Sequence, residues 1–427
     1  MNTTIASTHL DPARSPQPPL LSTGNCLLCG CEDLEIVLDL GWTGLANNLP
    51  LPEECGEESL FPLRLARCPA CTHVQLADRV APELLYAHYL YVSSASSTLE
   101  RHLGTLATAI AARVQPHPGA LALDIGCNDG TLAAHMAVRG FRALGIDPAE
   151  NLVPLSRGRG LEVEVDYFGR ESATRLLKRH GPVHVLTATN SFPHIPDLHS
   201  YLEGAAALLA TDGAFVIEAH YLLDLVEQCA FDTIYHEHCH FWRLEPMIEL
   251  FARYGLEVFD CERLPIHHGQ LRVWVQHRGA RSLNPRVAAQ CEAERKAGLG
   301  ERDVYDKLAR RASAIRTDLG AILARLKAEG KRVAGYGAPA KASTLAAWCG
   351  LGPGDLLWIA DRNPLKQGRL TPGTHIPIVE PGRIDAERPE ILLLLAWNFA
   401  DEIQIQLADY RARGGQFLLP VPEVCLL

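Results

Sequence analysis

Residues able to do chemistry gather at a few places in the chain. The densest is Tyr235-His-Glu-His-Cys-His240-Phe-Trp. A histidine near its ordinary pKa takes up a proton at neutral pH, and a neighbouring phenol or imidazole donates to an oxyanion as it develops. Tyr235, Glu237 and His238, joined by His194 from Ser191-Phe-Pro-His-Ile-Pro, are therefore expected to form an acid–base pocket. The same run contains His236-Glu237-x-x-His240, the spacing of a zinc peptidase with Glu237 as base. That reading needs a clear helix and a third ligand downstream. The preceding Phe231-Asp-Thr-Ile-Tyr carries β-branched and turn residues, and a chain with 18 histidines meets so short a pattern by chance. Solvated or core histidines are the plainest alternative.

Cysteines make the next group. Cys26-x-x-Cys29 and Cys68-x-x-Cys71 are two knuckles able to close a tetrahedral four-thiolate zinc site, and six of the 13 cysteines lie in the first 71 residues. A closed four-sulfur site leaves no open position for a substrate, so such a metal is structural. Incidental buried cysteines are the competing reading. Cys31, Cys55 and His73 are spare ligands.

A third constellation runs through LALDIGCNDGTLAAHM, residues 121–136. An apolar strand meets a glycine turn (Gly126, Gly130) and then a helix from Thr131, the opening unit of a nucleotide-binding α/β domain. Glycines there let backbone approach a ligand closely. The turn lacks the G-x-G-x-x-G of dinucleotide sites. The acid Asp124 at the strand end suits a cationic, amine-bearing ligand, for which adenosylmethionine is the natural candidate. The bland alternative is a purely structural strand, turn and helix.

The elements that must position these residues follow in order. FRALGIDP (141–148) is a second parallel strand ending at Asp147 and Pro148, where an acid accepts from ribose hydroxyls. EVEVDYF (162–168) is a third, with Asp166 to read an adenine amine and Tyr167 or Phe168 to stack on it. VHVLTATN ends at Asn190, and GAFVIEAHY ends near Glu218. Strands separated by helix-length segments make a doubly wound parallel sheet whose ligands sit at the carboxyl ends. Residues 256–278 close the sheet edge as an antiparallel pair. Ahead of it, Tyr86, Tyr89 and Tyr91 with Ser93, Ser94, Ser96 and Ser97 form a hydroxyl-rich patch. It reads equally as a phosphate contact or as a helix cap with ordinary turn serines.

A second strand, glycine turn and helix begins at Lys331 (KRVAGYGAPAKASTL), with Asp361 24 residues after Gly337. It resembles half of a dinucleotide fold, but Pro339 breaks the third-glycine register, which weakens a nicotinamide enzyme as an alternative. A domain gripping a phosphate-bearing substrate through Gly337, Lys341 and Lys366 is preferred. An amphipathic charged segment over about 283–330 reads as a helical connector, and ILLLLAWNFADEI supplies a buried strand ending near Asn398.

Composition bounds the rest. Forty-seven per cent hydrophobic and 21% charged is ordinary for globular chains. A net charge of −10 argues against nucleic-acid or anionic-membrane surfaces, and no run reaches the ~18 to 20 apolar residues of a membrane helix. The first 22 residues are Pro-rich and polar, without an apolar signal core, so a disordered lead and a cytoplasmic protein are expected.

With these residues in view, the chain resembles the zinc-containing sugar C-methyltransferases that act on nucleotide-linked 4-keto-deoxysugars. The likeness runs from Cys26 to the end and implies, after a lead (1–22), a zinc-binding domain (23–80), a class I adenosylmethionine-dependent methyltransferase α/β domain (81–282), and a connector with a C-terminal Rossmann-like α/β domain (283–427). It rests on both CxxC pairs, Tyr-x-Tyr-x-Ser-Ser-x-Ser at 89–96, Asp-Ile-Gly-x-Asn-Asp-Gly-Thr-Leu at 124–132, Asn-x-x-Pro-His-Ile at 190–195, Tyr-His-Glu-His at 235–238, Gly-Tyr-Gly-Ala-x-Ala-Lys at 335–341, and Asp-Arg-Asn-Pro-x-Lys-Gln-Gly at 361–368. The resemblance implies adenosylmethionine as methyl donor, held by Asp124, Gly126, Asn128, Gly130, Asp147, Pro148, Asp166, Tyr167, Phe168 and Asn190, and a structural zinc on Cys26, Cys29, Cys68 and Cys71. It implies His238 as general base, with Tyr235, Glu237, His194 and Tyr89 steadying an enolate. Tyr89, Tyr91, Ser93, Ser94, Ser96, Asn190, His236, Gly337, Lys341, Lys366 and Asn398 are its substrate contacts. The expected partner is a nucleotide-linked ketosugar, with no nucleic acid or membrane, and the enzyme a monomer or weak homodimer. The chain departs from the pattern at His267-His-Gly-Gln-Leu-Arg272, where a second glycine and often a serine are expected, and at Cys127. A binding or regulatory protein with non-catalytic α/β domains is the alternative from another class.

Overall fold

The computed structural model describes residues 20–22, 24–86, 89, 91–266 and 269–427. Most of the expected lead, and His267 and His268 of the departing segment, lie outside the described residues. Leu20–Ser22, assigned by composition to the lead, instead forms a strand antiparallel to Asp78–Val80.

The central sheet has seven strands in the order Leu256–Leu264, Gln270–His277, Leu209–His220, Val183–Thr189, Leu121–Ile125, Arg142–Ile146, Glu162–Glu164. Gln270–His277 runs antiparallel to both its neighbours, and the remaining pairings are parallel. Every residue of Leu121–Ile125 is buried, as a parallel strand covered on both faces requires. The strand order reverses between Leu121–Ile125 and Val183–Thr189, which opens a crevice at their carboxyl ends. The third strand is shorter than the alternation of EVEVDYF suggests. It stops at Glu164, so Asp166, Tyr167 and Phe168 sit in the loop beyond it.

Two further sheets flank this one. An antiparallel sheet in the order His240–Phe241, Val74–Leu76, Phe61–Arg67, Glu35–Thr43 carries the cysteine knuckles at one end. Its first strand comes from the middle of the chain, so the segment after His238 is stitched into the zinc-binding unit. The C-terminal sheet runs Ile378–Val379, Ile359–Ala360, Val333–Tyr336, Ile391–Leu394, Gln416–Leu419, Cys425–Leu426, parallel but for its last strand. The connector is two helices, Pro285–Lys296 and Arg302–Ala328. The second buries Tyr305, Leu308, Ala312, Ile315, Leu319, Leu323 and Leu326 at helical spacing. One continuous apolar core joins all three units. No helix among the described residues is long and apolar enough to cross a membrane.

Candidate active site

The crevice at the reversal of the central sheet is a cavity lined by Asp124, Gly126, Asn128, Asp147, Pro148, Asp166, Tyr167, Phe168 and Asn190, with Tyr86, Tyr89, Tyr91, Ser93 and His194 on its other wall. Asp124 is 3% exposed and accepts from Thr187 Oγ1 at 2.7 Å; burial pushes its carboxyl up to about 7. Asp147 accepts backbone N–H groups of Asn128 (2.8 Å) and Ala149 (2.9 Å), and burial raises it too. Asn128 adopts φ +52 and holds the tyrosine-rich segment down, its Nδ2 donating to Tyr91 O and its Oδ1 accepting from Ser93 N. Phe168 turns its ring edge-on to Tyr201, leaving Tyr167, 46% exposed, as the ring at the mouth. Two buried carboxyls at adjacent strand ends and an aromatic mouth fit the amine, ribose and base of adenosylmethionine.

The glycines have another reason than close approach to a ligand. Gly126 has φ +73 and a Cβ there would stand 2.5 Å from Ser191 Cβ; Gly130 has φ +77 and a Cβ would meet Leu161 at 2.5 Å. Both spaces belong to protein, and Gly130 caps the helix Thr131–Val138 without lining the cavity.

Behind His194 lies the histidine cluster. The Tyr235 and His220 rings stand 4.0 and 4.4 Å from His238 and the His194 ring 5.2 Å, centroid to centroid. His238 Nδ1 lies 2.8 Å from Thr233 O, an acceptor only, so Nδ1 carries the proton and Nε2 keeps its lone pair. Burial lowers His238 and His194 each to about 3, so both rings are neutral at physiological pH. Glu237, 2% exposed, accepts from Asn47 Nδ2 at 2.6 Å and from Tyr89 OH at 3.2 Å. Burial lifts its carboxyl to about 7 against those two donors and the Lys366 charge. The pocket is thus assembled from all three units: Asn47 from the zinc-binding end, the histidines and Tyr235 from the centre, and Lys366, whose Nζ also donates to Ala338 O at 2.7 Å, from the C-terminal sheet.

Several expected contacts go elsewhere. Ser96 Oγ accepts from Leu99 N and caps the helix Ser97–Val114, and the Ser94 backbone amide is held by Asp129. His236 is drawn to Pro62 O and its ring meets Phe61, away from the cluster, because the next residues enter the zinc-binding sheet. Lys341 is buried with its ammonium 3.9 Å over the Trp397 ring and does not line the cofactor cavity; burial lowers it to about 7 against the charge of Asp232. Gly337 (φ +83) packs against Ala396, where a Cβ would stand 2.6 Å from its Cβ. Asn398 lines a separate cleft, between the helix Ser97–Val114 and the C-terminal unit. The peptidase reading fails on geometry. Residues 236–239 form no helix, and His240 pairs with His73 and Ile195 O while His236 faces Pro62. Asp361, the ribose acceptor of a dinucleotide fold, spends its oxygens on Ala338 N and Asn363 N.

Among the described residues the one group with metal-ligand geometry is Cys26, Cys29, Cys68 and Cys71. Cys26 and Cys71 Sγ are 3.5 Å apart, Cys29 and Cys68 Sγ 3.6 Å, and all four lie within 4.8 Å of one another. Tetrahedral zinc with Zn–S of ~2.3 Å sets sulfurs roughly 3.8 Å apart, so the donor set fits that ion.

Sequence reasoning missed Asn47, His220, Asn151 and the Thr233 carbonyl. His220 was within reach of the rule used for the others, since it stands at the carboxyl end of Leu209–His220. Asn47 and Asn151, which brackets the Tyr89 backbone through its amide, carry no such signal.

Family comparisons cover the chain in three pieces. Residues 26–86 match the model described as "Putative zinc binding domain", 99–260 "Methyltransferase domain" and 265–422 "C-methyltransferase C-terminal domain". The C-methyltransferase NovU of Streptomyces niveus is 36% identical over 400 residues, 93% of this chain and 95% of that protein. The chain belongs to this C-methyltransferase family. A ubiquinone biosynthesis O-methyltransferase of Bordetella bronchiseptica is 36% identical over 97 residues, 22% of this chain and 40% of that protein. The magnesium protoporphyrin IX methyltransferase of Synechocystis, solved with bound SAM, superposes over 42% of this chain and 79% of that one, at 12% identity and a TM-score of 0.32. This C-methyltransferase uses adenosylmethionine and carries a zinc-binding domain, which removes the nicotinamide and non-catalytic readings.

Proposed function

We propose that this C-methyltransferase deprotonates the carbon beside the ketone of a nucleotide-linked 4-keto-deoxysugar, most simply a thymidine diphosphate sugar, and methylates it at C3 in preference to C5. The observation that carries the reading is the state of His238: Nδ1–H fixed on Thr233 O, Nε2 bare, and the ring one histidine away from the cofactor cavity. A C–H next to a ketone yields its proton only if the enolate oxygen is met by donors in a water-poor pocket. His238 Nε2 takes the proton while the C–H electron pair moves to the oxygen. His194 and Tyr235, both neutral, and the His220 ring beside them are the donors at hand. Glu237, braced by Asn47 and Tyr89, orients the sugar hydroxyls. Bound adenosylmethionine supplies an electrophilic methyl group on a sulfonium. Holding donor and acceptor carbon in line is worth on the order of 7 to 11 kcal/mol. The anchored residues Tyr89, Tyr91, Ser93 and Ser94 and the buried Asp124 and Asp147 do that positioning. Zinc, on four thiolates with no open position, stays out of the reaction.

The test is incubation with adenosylmethionine and a panel of thymidine- and guanosine-linked ketosugars. The expected product is heavier by one methyl group in place of hydrogen, and the α-hydrogen of the unmethylated ketosugar is expected to exchange in deuterated water, an exchange lost in His238→Asn. No methylated sugar across the panel refutes the substrate class; exchange persisting in His238→Asn refutes the base.

A further inference from the structure

In a doubly wound sheet the crevice at the strand-order reversal normally takes a ligand. In the C-terminal sheet that crevice lies beyond Val333–Tyr336 and Ile391–Leu394. Here part of it is filled by the segment that precedes the histidine cluster. Trp397 Nε1 donates to Asp232 Oδ2 at 2.7 Å, Lys341 stacks on the Trp397 ring and faces the same carboxylate, and Thr344 Oγ1 donates to Ile234 O at 2.9 Å. Asp232 is 0% exposed and Thr344 2%. Between the two anchored residues sits Thr233, in the 3-10 turn Phe231–Thr233, and its carbonyl is the acceptor for His238 Nδ1.

We infer that Asp232 is a positioning residue through which the C-terminal domain sets the tautomer of His238. The catalytic consequence rests on the reading of His238 as base, but the tautomer itself does not. A neutral imidazole carries its proton on either nitrogen, and the partner fixed at one nitrogen decides which. With Thr233 O held in place, the proton stays on Nδ1 and Nε2 is left unprotonated. Loosening the anchor lets the proton shift to Nε2, which then has no lone pair to offer. The C-terminal domain thereby acts on the chemistry without touching the reacting atoms.

The experiment uses the full-length enzyme labelled with 15N-histidine, with the His238 signals assigned by their loss in His238→Asn. The wild type is expected to show a protonated, pyrrole-type Nδ1 and a bare, pyridine-type Nε2. Asp232→Ala and Trp397→Phe are expected to give a mixture in which the two positions exchange character. Asp232→Asn keeps an acceptor for Trp397 and is expected to retain the wild-type pattern. Zinc content and adenosylmethionine affinity in calorimetry report folding; should Asp232→Ala lose either, Trp397→Phe, which removes the donor and keeps an aromatic side chain, decides. An unchanged Nδ1–H signal in the folded variants overturns the inference. Absence of sugar α-hydrogen exchange in the wild type would instead overturn the functional reading and leave the tautomer result standing.

Discussion

Replacing Asn47 by alanine should move the pH dependence of the reaction. The amide donates to Glu237 Oε1 at 2.6 Å, and Glu237 is 2% exposed. A hydrogen bond to a buried charged group is worth about 1.5–3 kcal/mol, and one pK unit corresponds to ~1.4 kcal/mol, so losing it shifts the carboxyl by roughly one to two units. The sign follows from the partner favoured. The amide stabilises the ionised form, so its removal favours the proton and pushes the carboxyl upward from about 7. At pH ~7.5 the ionised fraction then drops from about three-quarters to about a quarter or less, at least a threefold loss of the competent form. His238, lowered to about 3, is not the source of this limb. The assay is kcat/KM for methyl transfer across the neutral range, with Glu237→Gln as the variant that should lack the limb altogether. Asn47→Asp, which adds a like charge, should shift it at least as far. An acid limb that stays in place in Asn47→Ala, with Glu237→Gln still abolishing it, would refute the claim that the zinc-binding end tunes this carboxylate.

His238→Asn should lower turnover by ~10²–10⁴-fold while leaving adenosylmethionine binding intact, since the ring does not line the cofactor cavity; retained turnover in steady-state kinetics counts against it. Gly126→Ala places a Cβ 2.5 Å from Ser191 Cβ at φ +73 and should cost about 1–3 kcal/mol in urea unfolding, against which an unchanged midpoint would stand. Stripping the metal with a strong chelator should lower the calorimetric melting temperature and, through Asn47, the activity; a zinc-free protein melting as before would show that the four thiols need no ion.

Much of this was legible in the residues because it depends on local order. The two CxxC knuckles, the strand-to-helix turn at 121–136 and the carboxyl-end residues Asp124, Asp147 and Asn190 follow from spacing and from the rule that parallel sheets bind at their strand ends. Asp124, Asp147 and Asn190 line one cavity, and the four cysteines come together elsewhere, in the zinc-binding unit. Errors fell where a motif's chemistry was assigned without its neighbours. Lys341 looked like a phosphate contact because it follows a glycine turn, yet its ammonium lies over the Trp397 ring, where the charge of Asp232, 109 positions earlier, acts on it. His236 was expected among the substrate contacts, yet with the chain entering the zinc-binding sheet at His240–Phe241 its ring turns to Pro62 O.

The sequence by itself determined the class of fold, the metal-ligand set and the cofactor crevice, since each is written in the periodicity and spacing of neighbouring residues. Only the tertiary structure decided which donors surround Glu237, which nitrogen of His238 holds the proton, and which lysine is already neutralised. Asn47 and Lys341 meet partners far along the chain, and Thr233 O, five residues before His238, sits between residues 232 and 234 that the C-terminal domain holds. The energy of a buried hydrogen bond or charge is set by what lies within a few ångströms, and separation in sequence carries no information about that distance.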